Sequence, residues 1–137
     1  MEEERFRAFV AVRMSEEVEA AIAALIDELS SPSDGIKWTA RANLHVTLKF
    51  LGPAVERARL AALAASLNAL AAETAPFQLI ARGAGAFPNL GRPRALWAGL
   101  QSAELAALAA RVDDVAASAG FARETRRWSA HLTIGRI

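Results

Sequence analysis

The chain contains two histidines, and each stands two residues before a threonine. The patterns are His45-Val46-Thr47-Leu48 and His131-Leu132-Thr133-Ile134. With five threonines among 137 residues, composition alone gives this coincidence odds of about one in a thousand. Residues i and i+2 of a strand point to the same side. Each motif therefore presents one imidazole and one hydroxyl together, while the apolar residues between them anchor the opposite face in a core. Imidazole gives or takes a proton near neutral pH. Two imidazoles flanking one group can serve as general base and general acid in a single displacement. Threonine hydroxyls can donate hydrogen bonds to phosphoryl oxygens, which stabilises charge without a metal. Hydrolysis or transfer at a phosphodiester fits this inventory.

Other chemistries fit less well. The chain has no cysteine, which removes disulfides, thiol nucleophiles, iron–sulfur clusters and cysteine-based zinc sites. A zinc site at the histidines needs further ligands, and neither motif strand carries an Asp, Glu or Cys on its polar face. No Gly-x-Ser-x-Gly elbow is present to hold a nucleophilic serine. No metal and no cofactor is expected. The formal charge is +1, which excludes nucleic-acid binding by bulk charge. That neutral total hides a split. Residues 121–137 carry Arg123, Arg126, Arg127 and Arg136 against Glu124 alone, and Arg82, Arg92 and Arg94 lie in a stretch without acids. These arginines predict a positive rim that reads phosphates without sequence specificity.

The elements that must position these groups follow from periodicity. Phe6, Ala8, Val10 and Val12 alternate with Arg7, Phe9, Ala11 and Arg13, which predicts a strand. Ser15 can cap a helix whose stripe is Val18, Ile22, Leu25, Ile26 and Leu29. Residues 36–38 form a short candidate strand. Residues 43–50 alternate strictly, with Leu44, Val46, Leu48 and Phe50 on one face and Asn43, His45, Thr47 and Lys49 on the other. Gly52-Pro53 is expected to close that strand, with Pro53 opening a helix striped by Leu60, Leu63, Leu67 and Leu70. Residues 77–82 read as a strand, 83–94 as largely loop, and 95–100 as a short apolar strand. Ser102 can cap a helix with stripe Leu105, Leu108, Val112 and Val115, and Gly120 is a natural stop. Residues 128–134 alternate again, with Trp128, Ala130, Leu132 and Ile134 on the apolar face. Strand, helix and His-x-Thr strand thus occur twice, the mark of an internal duplication. The 53% apolar content and the length predict one folded domain over 1–137. The acidic start shows no secretory pattern, and the apolar run 60–72 is too short to span a bilayer. A soluble, cytoplasmic protein is expected.

The paired motifs resemble those of the 2H phosphoesterase superfamily, and more narrowly the bacterial and archaeal RNA 2′,3′-cyclic phosphodiesterases, historically called 2′-5′ RNA ligases. The resemblance runs through Arg5 to Val12, Asn43 to Gly52, Gly85-Ala86-Phe87-Pro88, Pro93 to Gly99 and Ala130 to Arg136. It implies a bilobal α+β fold: duplicated antiparallel sheets, helices packed outside, and a central cleft to which each sheet contributes one His-x-Thr. It implies metal-free opening of a 2′,3′-cyclic phosphate at an RNA end to leave a 2′-phosphate. His45 would be the proton donor to the departing 3′ oxygen, and His131 the proton acceptor that activates water. Thr47 and Thr133 would hold phosphoryl oxygens. Arg136 matches an arginine that often follows the second motif and binds phosphate; strict alternation puts it on the apolar face, so the role needs a bulge or strand end. Phe87 matches a loop aromatic, open to base stacking or to packing in the core. Family chains usually carry further strands past the second motif, and this chain ends at Ile137, so those C-terminal strands are expected to be missing. Two other functions stay open: 2′-5′ ligation by the same residues in reverse, and a non-catalytic module that binds RNA or nucleotides. The expected partners are RNA ends or cyclic nucleotides bearing a 2′,3′-cyclic phosphate. No membrane contact is expected, and the sequence assigns no oligomeric state.

Overall fold

The computed structural model describes residues 3–137; Met1 and Glu2 of the acidic start lie outside the described residues. In chain order the elements are β1 (Arg5–Val12), α1 (Glu16–Leu29), β2 (Lys37–Trp38), a 3-10 turn (Arg41–Asn43), β3 (Val46–Glu56), α2 (Arg57–Glu73), β4 (Ile80–Phe87), β5 (Ala95–Gln101), α3 (Ala103–Ser118) and β6 (His131–Arg136). The class is α+β, as expected. β1 pairs with β3 in one sheet, and the other has strand order β2-β6-β5-β4 with antiparallel neighbours throughout. Among the described residues, no helix is long and apolar enough to cross a membrane.

The chain divides into two compact units. The first holds residues up to Ala11, Thr47–Gln78 and Ser102–Ser129. The start of β1 lies against the end of β3, with Arg5 3.7 Å from Glu56; the Arg7 guanidinium lies 4.8 Å from the centre of the Phe50 ring, in the first half of β3. The core here joins Val55 of β3, Leu63 of α2, Ala116 of α3 and Phe121. α3 reaches it because Ser102 caps the helix, its hydroxyl accepting from Leu105 N. Gly120, at φ +92°, then turns the chain out of the helix so that Phe121 N bonds back to Ala116 O.

The second unit holds Val12–Val46, Leu79–Gln101 and Ala130–Ile137. α1 starts as expected, with the Ser15 hydroxyl accepting from Val18 N. Buried Glu19 takes two hydrogen bonds from the Arg13 guanidinium, at 3.0 and 2.8 Å. Leu44, Val46, Leu132 and Ile134 are buried, so the apolar halves of both motifs do anchor a core.

Several expectations need correction. β3 does not close at Gly52-Pro53; it runs to Glu56, and α2 begins at Arg57. Gly52, at φ +148°, and Pro53, which has no N–H, are tolerated because a strand in a two-stranded sheet has an edge that owes no ladder bonds. The alternation of residues 43–50 also breaks. Leu48 and Lys49 are both buried, and Phe50 is 43% exposed beneath Arg7. β4 begins at Ile80 rather than at 77 and runs on through Phe87, so its second half replaces an expected loop. β6 starts at His131, and residues 128–130 precede it. Leu25 and Leu29 of the expected α1 stripe are 43% and 55% exposed, because only Ile22 and Ile26 face the core.

Lys49 is the buried charge that this shift creates. It is 4% exposed, and its ammonium donates to Asp113 Oδ1 at 2.6 Å and to the Ala122 carbonyl at 2.8 Å. Asp113 in turn accepts from Glu124 N at 3.1 Å. One ion pair thus fastens β3, α3 and the start of the segment leading to His131. The Lys49 hydrogen bond, foremost, holds the Asp113 carboxyl below the usual carboxylate range against the opposing effect of burial. Removing Asp113 strands a buried ammonium, whereas removing Lys49 leaves a carboxylate with Arg123 still 3.6 Å away. Asp113→Ala is therefore expected to lower the unfolding free energy by about 3 kcal/mol, and Lys49→Met by less, both read from urea titrations. Because the folded Asp113 pKa lies below the unfolded one, its contribution is complete above the ordinary carboxylate range and fades as pH falls through the folded value. The gap between wild type and Asp113→Ala should close in strong acid.

Candidate active site

Position and facing at the second motif are set by the β5–β6 ladder. Gly99 lies opposite His131, Ala98 opposite Leu132 and Trp97 opposite Thr133; the register then slips, so that Leu96 meets Gly135 and Ala95 meets Arg136. Ile134 is the extra residue, a β-bulge in β6. Directly opposite residues share a face, so the bulge carries Arg136 onto the side of His131 and Thr133. The condition that the sequence set for a phosphate-binding role of Arg136 is met. β4 extends this face, with Gly85 opposite Trp97 and Phe87 opposite Ala95.

Three rings cluster there. The Phe87 ring stands edge-on to the His131 imidazole, with centroids 5.3 Å apart and planes at 63°. Trp97 lies 6.1 Å from Phe87 and 6.4 Å from His131. Phe87, 46% exposed, is thus a strand residue beside the imidazole rather than a loop residue packed in the core. The Trp97 indole N–H is buried and has no hydrogen-bond partner among the described residues. Its ring lies against Gly85, where an added Cβ would fall well inside van der Waals contact with the indole carbons. The Thr133 carbonyl accepts from the Thr39 hydroxyl at 3.3 Å, and the Ile134 carbonyl from Thr39 N at 2.9 Å.

The first motif is placed differently. His45 directly precedes β3 and belongs to the same compact unit as His131, while Thr47 belongs to the other unit. Nδ1 of His45 lies 2.6 Å from the Asn43 carbonyl. A carbonyl can only accept, so Nδ1 carries the hydrogen in this contact. The Thr47 carbonyl accepts from the Trp128 indole at 3.2 Å. The structure therefore gathers His131, Thr133, Arg136 and Phe87 on one sheet face, and sets His45 and Thr47 at the head of β3. Among the described residues, no three His, Cys, Asp or Glu side chains converge as metal ligands.

Trp97 is the site residue that sequence reasoning passed over, because it reads as one more apolar residue in a short strand. The available signal was Gly85, a glycine within a strand directly opposite Trp97, which leaves a gap for a large ring on the neighbouring strand. Gly85→Ala is expected to displace that ring, to cost about 1–3 kcal/mol as overpacking does, and to alter the near-ultraviolet circular dichroism from tryptophan. An unchanged spectrum and stability would remove Gly85 from this role.

Known proteins share this fold. Residues 12–97 match the LigT-like phosphoesterase family. An RNA 2′,3′-cyclic phosphodiesterase of Archaeoglobus fulgidus is 38% identical over 132 residues, which cover 96% of this chain and 72% of that protein. A crystal structure of a Thermus thermophilus protein superposes with a TM-score of 0.77 at 30% identity, covering 96% of this chain and 74% of that one. Escherichia coli LigT complexed with 3′-AMP gives 0.73 at 28% identity over 97% and 74% of the two chains. By its family match and by its identity to the archaeal relative, the chain belongs to the LigT-like phosphoesterase family.

Proposed function

We propose that this chain hydrolyses 2′,3′-cyclic phosphate ends of RNA to 2′-phosphomonoesters. The observation that carries the reading is the β6 face, where an imidazole, a threonine and an arginine stand together beside an aromatic ring. The name of the Archaeoglobus relative supports the reaction, and the 3′-AMP complex of LigT supports a nucleotide as ligand.

In this scheme His131 accepts a proton from water as its oxygen attacks phosphorus. The bond from phosphorus to the 3′ oxygen breaks, and His45 supplies that oxygen with a proton. The products are a 2′-phosphomonoester and a free 3′ hydroxyl. Thr47 and Thr133 donate hydrogen bonds to the non-bridging oxygens, and Arg136 adds positive charge to the same face for binding phosphate. Phe87 offers its exposed ring to a base. The acid must begin charged and the base neutral, so the rate should follow a bell-shaped pH profile.

Product analysis on nucleoside 2′,3′-cyclic phosphates tests the scheme. His45→Ala and His131→Ala should each lower kcat by roughly 10²–10⁴ with the fold intact. The product should be the 2′ isomer alone, and the rate should survive EDTA. A dominant 3′ isomer, or a rate abolished by the chelator, would sink the mechanism. Nucleotide binding without turnover would leave a binding module.

A further inference from the structure

The sheet that carries His131 ends in a row of four directly opposed residues. Lys37 of β2 faces Arg136, Arg136 faces Ala95 of β5, and Ala95 faces Phe87 of β4. Opposed residues share a face, so Lys37 stands on the same side as His131, Thr133 and Trp97. Two cations directly opposite each other destabilise a strand pair, and nothing nearby relieves this one. Neither Lys37 nor Arg136 has an ion-pair partner among the described residues. No Asp or Glu occurs in Leu79–Gln101 or Ala130–Ile137. The nearest acid in sequence, Asp34, is occupied elsewhere: its carboxylate accepts from Ser31 N, Ile36 N and the Trp38 indole. Trp38 lies opposite Gly135, on the other face of the sheet.

The spacing indicates what relieves the repulsion. On β5, which has no extra residue here, the row of Arg136 is two residues from the row of Thr133. Two residues of strand span roughly 7 Å, comparable to one nucleotide step along a single strand. A ligand whose reacting phosphate rests at Thr133 would bring its next phosphodiester to the Lys37 row.

We infer that Lys37 binds the phosphodiester adjoining the reacting one, so that the chain favours oligoribonucleotide ends over cyclic mononucleotides. The inference rests on the proposed phosphodiesterase reading and names its substrate class. Lys37 touches no reacting atom in this arrangement; it contributes to affinity for the polymer.

The test compares wild type, Lys37→Gln and Lys37→Arg on a cyclic mononucleotide and on a short oligoribonucleotide ending in a 2′,3′-cyclic phosphate. Lys37→Gln should lower kcat/KM on the oligonucleotide roughly tenfold, as loss of one phosphate contact does. It should leave the mononucleotide within about twofold, and Lys37→Arg should restore most of the loss. The slope of log kcat/KM against log salt on the oligonucleotide should become shallower by about 0.7. Equal losses on both substrates, or none on either, would overturn the assignment. Fluorescence anisotropy with a labelled single-stranded oligoribonucleotide separates this inference from the reaction itself. Weaker binding by Lys37→Gln supports the subsite even in a protein that turns nothing over, and equal binding by both proteins refutes it. The melting temperature of Lys37→Gln should be unchanged or higher, since a repulsion is removed; a marked fall would show that Lys37 serves the fold instead.

Discussion

The facing of β6 depends on Ile134, the one residue of that strand for which β5 offers no counterpart. A regular strand would send Arg136 into the apolar layer with Leu132, where an unpaired guanidinium could not remain. The extra residue restores parity after Thr133, so one short strand delivers an imidazole, a hydroxyl and a guanidinium to the same side while Leu132, Ile134 and Gly135 stay buried. Gly135 is part of this device, since a Cβ there would press on Ile36 and Trp38. The functional face and the core face of β6 are therefore one solution to one register problem.

The remaining architecture supports that strand from both ends. Residues 121–130, which lead into it, are tied at Ala122 and Glu124 by the Lys49–Asp113 pair and at Trp128 by the Thr47 carbonyl. At the far end, Thr39 bonds to the carbonyls of Thr133 and Ile134, and Ile137 N bonds to the Arg94 carbonyl. The lateral support is aromatic, with Trp97 set against Gly85 and Phe87 against His131. Each of these ties is non-local, and several use backbone atoms.

That difference explains how much was legible in the sequence. The helices were readable because their signals are local: Ser15 and Ser102 as caps, Gly120 as a stop, and leucines at helical spacing. The shared face of His131 and Thr133 was readable because side-chain direction in a strand repeats every two residues, whereas His45 lies just ahead of β3. What failed were features decided by a distant partner. Lys49 looks like a solvated polar-face residue until Asp113, 64 positions later, is placed beside it. Gly85 reads as loop until Trp97 needs the room. Gly52-Pro53 reads as a strand end until β3 proves to lie in a two-stranded sheet. The bulge at Ile134 leaves no mark in composition or period; only the family resemblance made it worth expecting.

The repeat of strand, helix and motif strand has one further consequence. β1 and β3 belong chiefly to the first compact unit, yet α1, which joins them, belongs to the second; β5 and β6 belong to the second, yet α3 belongs to the first. Each repeat lends its helix to the other's strands. Neither half of the polypeptide contains a complete unit, so each unit draws on both halves of the chain. The meeting of those segments is intramolecular, and its effective concentration is fixed by the connecting chain rather than by the amount of protein present.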